Sequence, residues 1–338
     1  AQTPTNSVSA PAVLRLSEEQ QQAVELAASL PLLAITGGPG CGKTTVVRAI
    51  SQLFRRAGLE TRLAAPTGRA AQRLSEVCDM PASTIHRLLR LDPISREFQH
   101  NETEPLEIDA LIVDESSMID IPLASSLLRA LPPGCRVVLV GDADQLPSVG
   151  PGLFLQDLLS LAQVPAIRLT KLFRRADESS ITQIAHMINH AKLPHIPEPD
   201  GKTRSDAYFL PAPTPEEAAA LLEKLVVEQI PKKFGIASSD ITVLTPMNQG
   251  VLGVISLNQR LQARLVPAKP ESPCLKVGNT EFRLGDRVCQ RVNNYNIHPS
   301  GVFNGDQGIV TGIDGEKKSL FVELWDQREI EYESDCLY

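Results

Sequence analysis

The chain has 338 residues, 42% hydrophobic and 22% charged, an ordinary balance for globular domains and length enough for two or three of them. No apolar run approaches the roughly 20 residues that span a bilayer, and the polar start AQTPTNSVSAP lacks the basic-then-apolar layout of a secretory signal. A net charge of −7 means that any nucleic-acid surface must be local. The six cysteines are scattered with no CxxC pair, which favours reduced thiols and a cytoplasmic setting over a disulfide frame or a zinc site.

Residues 1–13 read as a disordered lead-in. Ser17 then starts a helix that runs to about Leu30, with Gln20 placed as its capping-box partner. Gln20 also has a functional reading, an amide that reads adenine just upstream of a nucleotide loop. Leu32 to Ile35 is an apolar strand. The segment Gly37-Gly38-Pro39-Gly40-Cys41-Gly42-Lys43-Thr44 that follows it fits GxxxxGK[ST], and a helix opens at Thr45. Strand, loop and helix in this order are what a P-loop requires. Its glycines let backbone N–H groups turn toward a phosphate, and the helix N-terminus adds a favourable dipole. Lys43 would reach the β- and γ-phosphates of ATP, and the Thr44 hydroxyl would hold Mg²⁺.

Thr61 to Ala65 reads as a second strand, running into the turn Pro66-Thr67-Gly68-Arg69 and a helix from Ala70 to Val77. In an open α/β sheet such strand ends face the ligand crevice. Ser83-Thr84-Ile85-His86-Arg87 opens a short helix, and the polar stretch 91–107 reads as an inserted hairpin or loop. Leu111-Ile112-Val113-Asp114-Glu115 is a strand ending in two carboxylates. Asp114 would bind Mg²⁺ and Glu115 would orient and deprotonate a water. A strand over Arg136–Val140 ends in Gly141-Asp142-Ala143-Asp144-Gln145, where the Gln145 carboxamide could sense a γ-phosphate; a plain Gly/Asp/Pro turn is the other reading. A strand at Ile167–Thr170 precedes Phe173-Arg174-Arg175, whose guanidinium groups suit phosphate oxygens or else a solvated basic turn. Alternating strands and helices over 32–170 predict a mostly parallel sheet covered on both faces. His186 and His190 stand at i,i+4 on a helix, but Met187 sits where a metalloprotease helix carries its glutamate; they read as surface histidines.

Six prolines within 193–215 mark a linker. Thr214 caps the helix after it, Asp240–Pro246 reads as the first strand of a second α/β domain, and Gly253–Leu265 as its helix. From Phe282 onward, short strands at Gln307–Ile313, Ser319–Leu324 and Glu329–Tyr332, punctuated by glycines, suggest a small β-barrel. Asn293, Asn294, Tyr295 and Asn304 fall in its loops, either as loop chemistry or as a lining for a nucleic-acid strand, with Tyr295 stacking on a base.

In this order the segments LSEEQ (16–20), GGPGCGKTT (37–45), APTGRAA (65–71), STIHRLL (83–89), LIVDESSM (111–118), VGDADQLPSVGPG (140–152) and LTKLFRR (169–175) resemble the motif series of RecD-like superfamily-one DNA helicases, of the exodeoxyribonuclease V alpha-subunit type. GDRVCQRVNNYN and VFNGDQG resemble the Src-homology-three-like barrel inserted in the second motor domain of that family. The resemblance spans about residues 14–338. It implies an α/β fold: a first RecA-like motor domain over 14–192 with an insertion at about 91–107, a linker over 193–215, a partial second RecA-like domain over 216–281 and an SH3-like β-barrel over 282–338.

It further implies ATP and Mg²⁺ in a cleft between motor domains, 5′→3′ translocation on single-stranded DNA, and unwinding at duplex junctions in recombination or repair. The protein would act alone or with other subunits of an exonuclease complex. Gln20 would contact adenine, and Gly38, Pro39, Gly40, Cys41, Gly42, Lys43, Thr44 and Thr45 would hold the nucleotide. Thr44 and Asp114 would bind the metal, and Glu115, Lys43, Gln145 and Arg174 would serve catalysis. Pro66, Thr67, Arg69, Thr84 and His86, with Asn294, Tyr295 and Asn304 of the barrel, would face DNA.

Two later family motifs do not occur: a histidine–lysine–serine–glutamine–glycine run, and an arginine in a threonine–arginine–alanine context. The expectation is therefore a fragment that binds nucleotide and hydrolyses it poorly, because an arginine finger is worth about 10³–10⁵ in rate. The helicase part of a conjugative relaxase, or a nucleic-acid-clamping P-loop ATPase that does not unwind, are the alternatives.

Overall fold

A computed structural model describes residues 16–92, 95–171, 179–200, 202, 205–269, 272–294, 296–298 and 301–337. The chain divides into two units, 1–195 and 196–338. Arg174 and Tyr295, and the stretch 1–13, lie outside the described residues.

The first unit is built on a six-stranded sheet. Its strands are β1 (Leu32–Gly37), β2 (Thr61–Ala65), β3 (Ala82–Thr84), β4 (Ala110–Val113), β5 (Arg136–Gly141) and β6 (Ala166–Leu169). All neighbours pair in parallel, in the order β3-β2-β4-β5-β1-β6. The apolar runs are continuous because both faces are buried. On one face Leu33, Ile35, Leu63, Ile112 and Val138 pack under helices α1 (Glu18–Ser29), α2 (Lys43–Arg56) and α3 (Gly68–Cys78). On the other, Ala64, Leu111, Val113, Val137 and Leu139 meet α4 (Ile85–Leu88), α5 (Ile121–Arg129) and α6 (Phe154–Ser160). Successive residues of one strand thus feed two separate cores, the period-two consequence of the pleat.

The 91–107 stretch does not run free. Gln99 N and His100 N donate to the carbonyls of Arg90 and Leu89, Leu106 N donates to Ala130 O at 2.8 Å, and Asn101 Oδ1 accepts from Thr103 N at 2.8 Å. The insertion is therefore folded back on the helices beside it.

In the second unit, helices occupy Pro215–Lys224, Ile230–Phe234 and Val254–Leu265. The strand expected over Asp240–Pro246 is absent: the segment is irregular apart from a 3₁₀ turn at Ser238–Asp240. Its side chains alternate as a strand's would, but among the described residues no strand runs beside it, and an unpaired strand leaves its ladder groups unmet. The C-terminal sheet has the antiparallel order β12-β11-β10-β9, from β9 (Arg287–Cys289), β10 (Gln307–Asp314), β11 (Ser319–Leu324) and β12 (Glu329–Glu333). An antiparallel hairpin of β7 (Cys274–Val277) and β8 (Thr280–Arg283) precedes it. Leu275 of this hairpin joins Val302, Val310, Leu320, Val322, Ile330 and Tyr332 in one core, ahead of the expected start at Phe282.

Candidate nucleotide and nucleic-acid site

In a parallel sheet all C-terminal strand ends fall on one edge, and here each carries a sequence motif. Moving across from β3, that edge presents Thr84 and His86, then Pro66 and Thr67 after β2, Asp114 and Glu115 after β4, Asp142 to Gln145 after β5, the loop 37–44 after β1, and Thr170 after β6. With strands about 4.8 Å apart, the β3 end and the β1 loop are separated by four spacings, about 19 Å.

The β1–α2 loop turns through two left-handed residues, Gly40 (φ 81°) and Gly42 (φ 76°), a geometry that favours glycine. Lys43 Nζ donates to Gly37 O at 2.5 Å and Gly38 O at 3.1 Å, so its ammonium lies across the loop's mouth. Thr44 and Thr45 stand in the first turn of α2, half-buried. Gly38, Pro39, Gly40, Cys41 and Gly42 complete the cradle. Cys41 itself is buried, and burial pushes its thiol pKa up.

Gln20 is 1% exposed, and both ends of its amide are hydrogen-bonded. Its Oε1 accepts from Ser17 N at 3.0 Å in the capping box, and Nε2 donates to Cys41 O and Gly42 O, each at 3.4 Å. The capping reading and a loop-bracing role hold together here, whereas the sequence offered capping and adenine as alternatives.

Glu115 follows β4 in the left-handed region (φ 53°), which costs a non-glycine residue about 1–2 kcal/mol. The kink throws the chain into a 3₁₀ turn at Ser116–Met118, pinned by Ser116 Oγ donating to Val113 O at 3.1 Å. Burial raises the carboxyl pKa values of both Asp114 and Glu115, and the charge of Asp114 adds to the rise at Glu115. Lys43 and Arg73 of α3 pull the other way on both. Arg73 therefore belongs to the electrostatics of the site, a role with no signal in motif spacing.

Gln145 is exposed, and its Nε2 donates to Asp142 Oδ2 at 3.3 Å. Asp142, 2% exposed, also accepts from Asp144 N at 3.1 Å, and Ala143 N donates to Thr36 Oγ1 at 3.2 Å beside the loop. Thr36 thus ties the β5 turn to the β1 end through Ala143, while Asp142 holds the turn itself together; Asp142 lay inside a motif quoted for Gln145, and Thr36 one residue ahead of the loop motif.

At the β3–β2 corner, Ala65 is paired with Thr84. Thr67 Oγ1 accepts from Ala70 N and Thr84 Oγ1 from Arg87 N, each at 3.2 Å, so both hydroxyls cap helices and keep their own protons to donate. Pro66 is half-buried and Arg69 exposed beside them. His86 packs on Phe98 of the insertion at 5.9 Å between ring centroids, and burial lowers its pKa.

In the second unit the asparagines serve their own loops. Asn294 pairs through its backbone with Val302, and its Oδ1 accepts from Asn296 N and Ile297 N. Asn293 Oδ1 accepts from Asn304 N at 2.8 Å.

Residues 20–151 match the family model of an AAA domain, and 257–324 match that of the ATP-dependent RecD-like DNA helicase SH3 domain. The chain is 41% identical over 315 residues to the ATP-dependent RecD2 DNA helicase of Deinococcus radiodurans, covering 90% of this chain and 39% of that protein. It is 31% identical over 334 residues to the RecBCD enzyme subunit RecD of Mycobacterium tuberculosis, covering 87% and 55%. The chain thus spans about half, or less, of these relatives. A solved structure of Pif1 helicases at forked duplex DNA shares the fold, with a TM-score of 0.53 at 19% identity over 95% of this chain and 76% of that one. With a P-loop, paired carboxylates and a glutamine turn along one parallel-sheet edge, and a match to the RecD-type SH3 model over 257–324, the chain is similar to the RecD-like helicases over most of its length.

Proposed function

We propose that this chain is the ATP-hydrolysing, DNA-tracking part of a helicase that moves 5′→3′ on single-stranded DNA and opens duplex junctions in recombination or repair. The observation that carries the reading is the strand-end order. A nucleotide cradle and a pair of helix-capping threonines occupy opposite parts of one sheet edge, with Asp114 and Glu115 between them.

The donor set suits a magnesium nucleotide. Mg²⁺ commonly takes one or two carboxylates alongside substrate phosphates, and here the Asp114 carboxylate and the Thr44 hydroxyl are the residues for it. When bound, the ion supplies charge neutralisation at the phosphates. Lys43 exchanges the Gly37 and Gly38 carbonyls for phosphate oxygens. Glu115, its carboxyl pKa raised by burial, is the general base for water. Gln145, tethered to Asp142, reports the γ-phosphate to the β5 turn. Arg174 contributes a guanidinium to phosphate charge. Gln20 braces the cradle and reads adenine at its margin.

Pro66, Thr67, Arg69, Thr84 and His86 take the DNA backbone, and Asn294, Tyr295 and Asn304 of the barrel also contact DNA. The domain scheme is the one given above, with the barrel beginning at the Cys274 hairpin. The partners are single-stranded DNA, duplex junctions and, in a RecBCD-like setting, other subunits.

DNA-stimulated ATP hydrolysis by the full-length protein tests this reading. Lys43→Ala is expected to lower kcat by at least about 100-fold with little change in Tm; undiminished hydrolysis in the variant would overturn it. ATP hydrolysis without strand displacement would favour a clamp over a helicase.

A further inference from the structure

We propose that Glu19 is a positioning residue of the nucleotide site: with Gln20 it makes the first turn of α1 a two-armed bracket that fixes the exit of β6 against the P-loop. The inference deepens the ATPase reading above and rests on it.

The two arms are adjacent in sequence and diverge in space, since neighbours on a helix point about 100° apart. One arm is Gln20, whose amide holds Cys41 O and Gly42 O. The other is Glu19. Its Oε2 accepts from Thr170 N at 2.8 Å and Lys171 N at 3.2 Å, and its Oε1 accepts from Thr170 Oγ1 at 2.5 Å. These three donors hold the Glu19 carboxyl below its ordinary pKa, first through the Thr170 hydroxyl. The turn that carries both arms is itself preset by the Ser17–Gln20 capping box.

What the second arm holds is the end of an edge strand. Among the described residues β6 pairs with β1 alone, and its last residue Leu169 lies opposite Gly37, the first residue of the P-loop. That contact is close: a Cβ on Gly37 would meet Leu169 O at 2.7 Å. Past Leu169 the ladder ends, and Glu19 takes up the next two N–H groups. α1 therefore contacts the phosphate cradle with one residue and the chain bordering it with the next. From Lys171 the sequence reaches Arg174 three residues later. Loss of the Glu19 arm leaves the cradle braced by Gln20 but frees the β6 exit. It should slow the chemical step more than it weakens nucleotide binding.

A mere cap on a strand end would change stability alone. The test measures DNA-stimulated kcat and the Kd for a fluorescent ADP analogue, on the full-length protein, for Glu19→Ala, Thr170→Val and the double variant. The expected result is a fall in kcat of about tenfold for Glu19→Ala and about threefold for Thr170→Val. Kd should stay within about twofold, and the double variant should be no slower than Glu19→Ala, because both remove one contact. Thr170→Val keeps the test open if Glu19→Ala folds poorly. Wild-type kcat retained in both variants, or Kd rising in step with the loss of kcat, would overturn the bracket. A wild-type protein without ATPase activity would instead overturn the function on which it rests.

Discussion

The backbone N–H of Asp114 donates to the carbonyl of Ala64 at 3.0 Å, so the residue that carries the first carboxylate of the nucleotide site is hydrogen-bonded to the strand that runs into Pro66 and Thr67. The bond carries the β2–β4 pairing past Val113 to the residue that bears the carboxylate. Thr67 is the place to probe this. Thr67→Ala removes the cap on α3 and should cost about 1 kcal/mol of stability together with most of the stimulation of ATPase by DNA. Thr67→Ser should restore both. Full stimulation in the alanine variant would remove Thr67 from the track.

The paired carboxylates oppose folding at neutral pH. Their pKa values are raised by burial, so the folded chain holds these protons more tightly than the unfolded one, and stability is lost as pH rises through the raised values. Asp114→Asn should therefore raise Tm at pH 7.5, by about 2–4 °C for each kcal/mol recovered. The gain should shrink toward pH 4, as the wild-type carboxyls take up protons. Thermal melts at the two pH values check this, and a variant that melts below wild type at pH 7.5 would contradict it.

His86 should act in the opposite direction along the pH axis. Burial against the insertion lowers its pKa, with Asp120 acting weakly the other way. The folded state binds this proton less tightly, so stability falls as pH drops from about 6.5 toward 5. His86→Gln should flatten that part of the profile in urea melts. An unchanged slope would show that His86 does not set it.

Two adjacent glycines offer a steric control. A Cβ at Gly37 meets the backbone oxygen of Leu169 at 2.7 Å, whereas one at Gly38 meets nothing within 4 Å. Gly37→Ala should cost about 1–3 kcal/mol and distort the cradle, while Gly38→Ala should fold at nearly wild-type stability. Equal melts for the two would contradict the β1–β6 approach described above.

The strands of the first unit were legible because both faces of the sheet are buried, so that Leu32–Ile35, Leu111–Val113 and Arg136–Val140 read as apolar runs between turn signals. The Ser17–Gln20 capping box was legible because it is a four-residue pattern. The contacts that assemble the site were not. Gln20 reaches Cys41 across 21 residues and Glu19 reaches Thr170 across 151, and local periodicity carries no trace of either. Ile241–Thr245 shows the opposite failure. It is rich in β-branched and apolar residues, yet a strand is a property of a pair, and this segment has no partner strand among the described residues. The hairpin at Cys274–Arg283 escaped notice because its short strands are half-exposed and mix charges with apolar residues, with Leu275 alone fully buried.

The central claim, that the carboxylates and the P-loop drive directional movement along the Thr67–Thr84 track, is tested most directly by strand displacement. Full-length protein is mixed with duplexes bearing a 5′ or a 3′ single-stranded DNA tail, with and without ATP, as wild type and as Glu115→Gln. The predicted result is ATP-dependent displacement from the 5′ tail alone, lost in the variant; equal displacement from the 3′ tail, or displacement retained by Glu115→Gln, would contradict it.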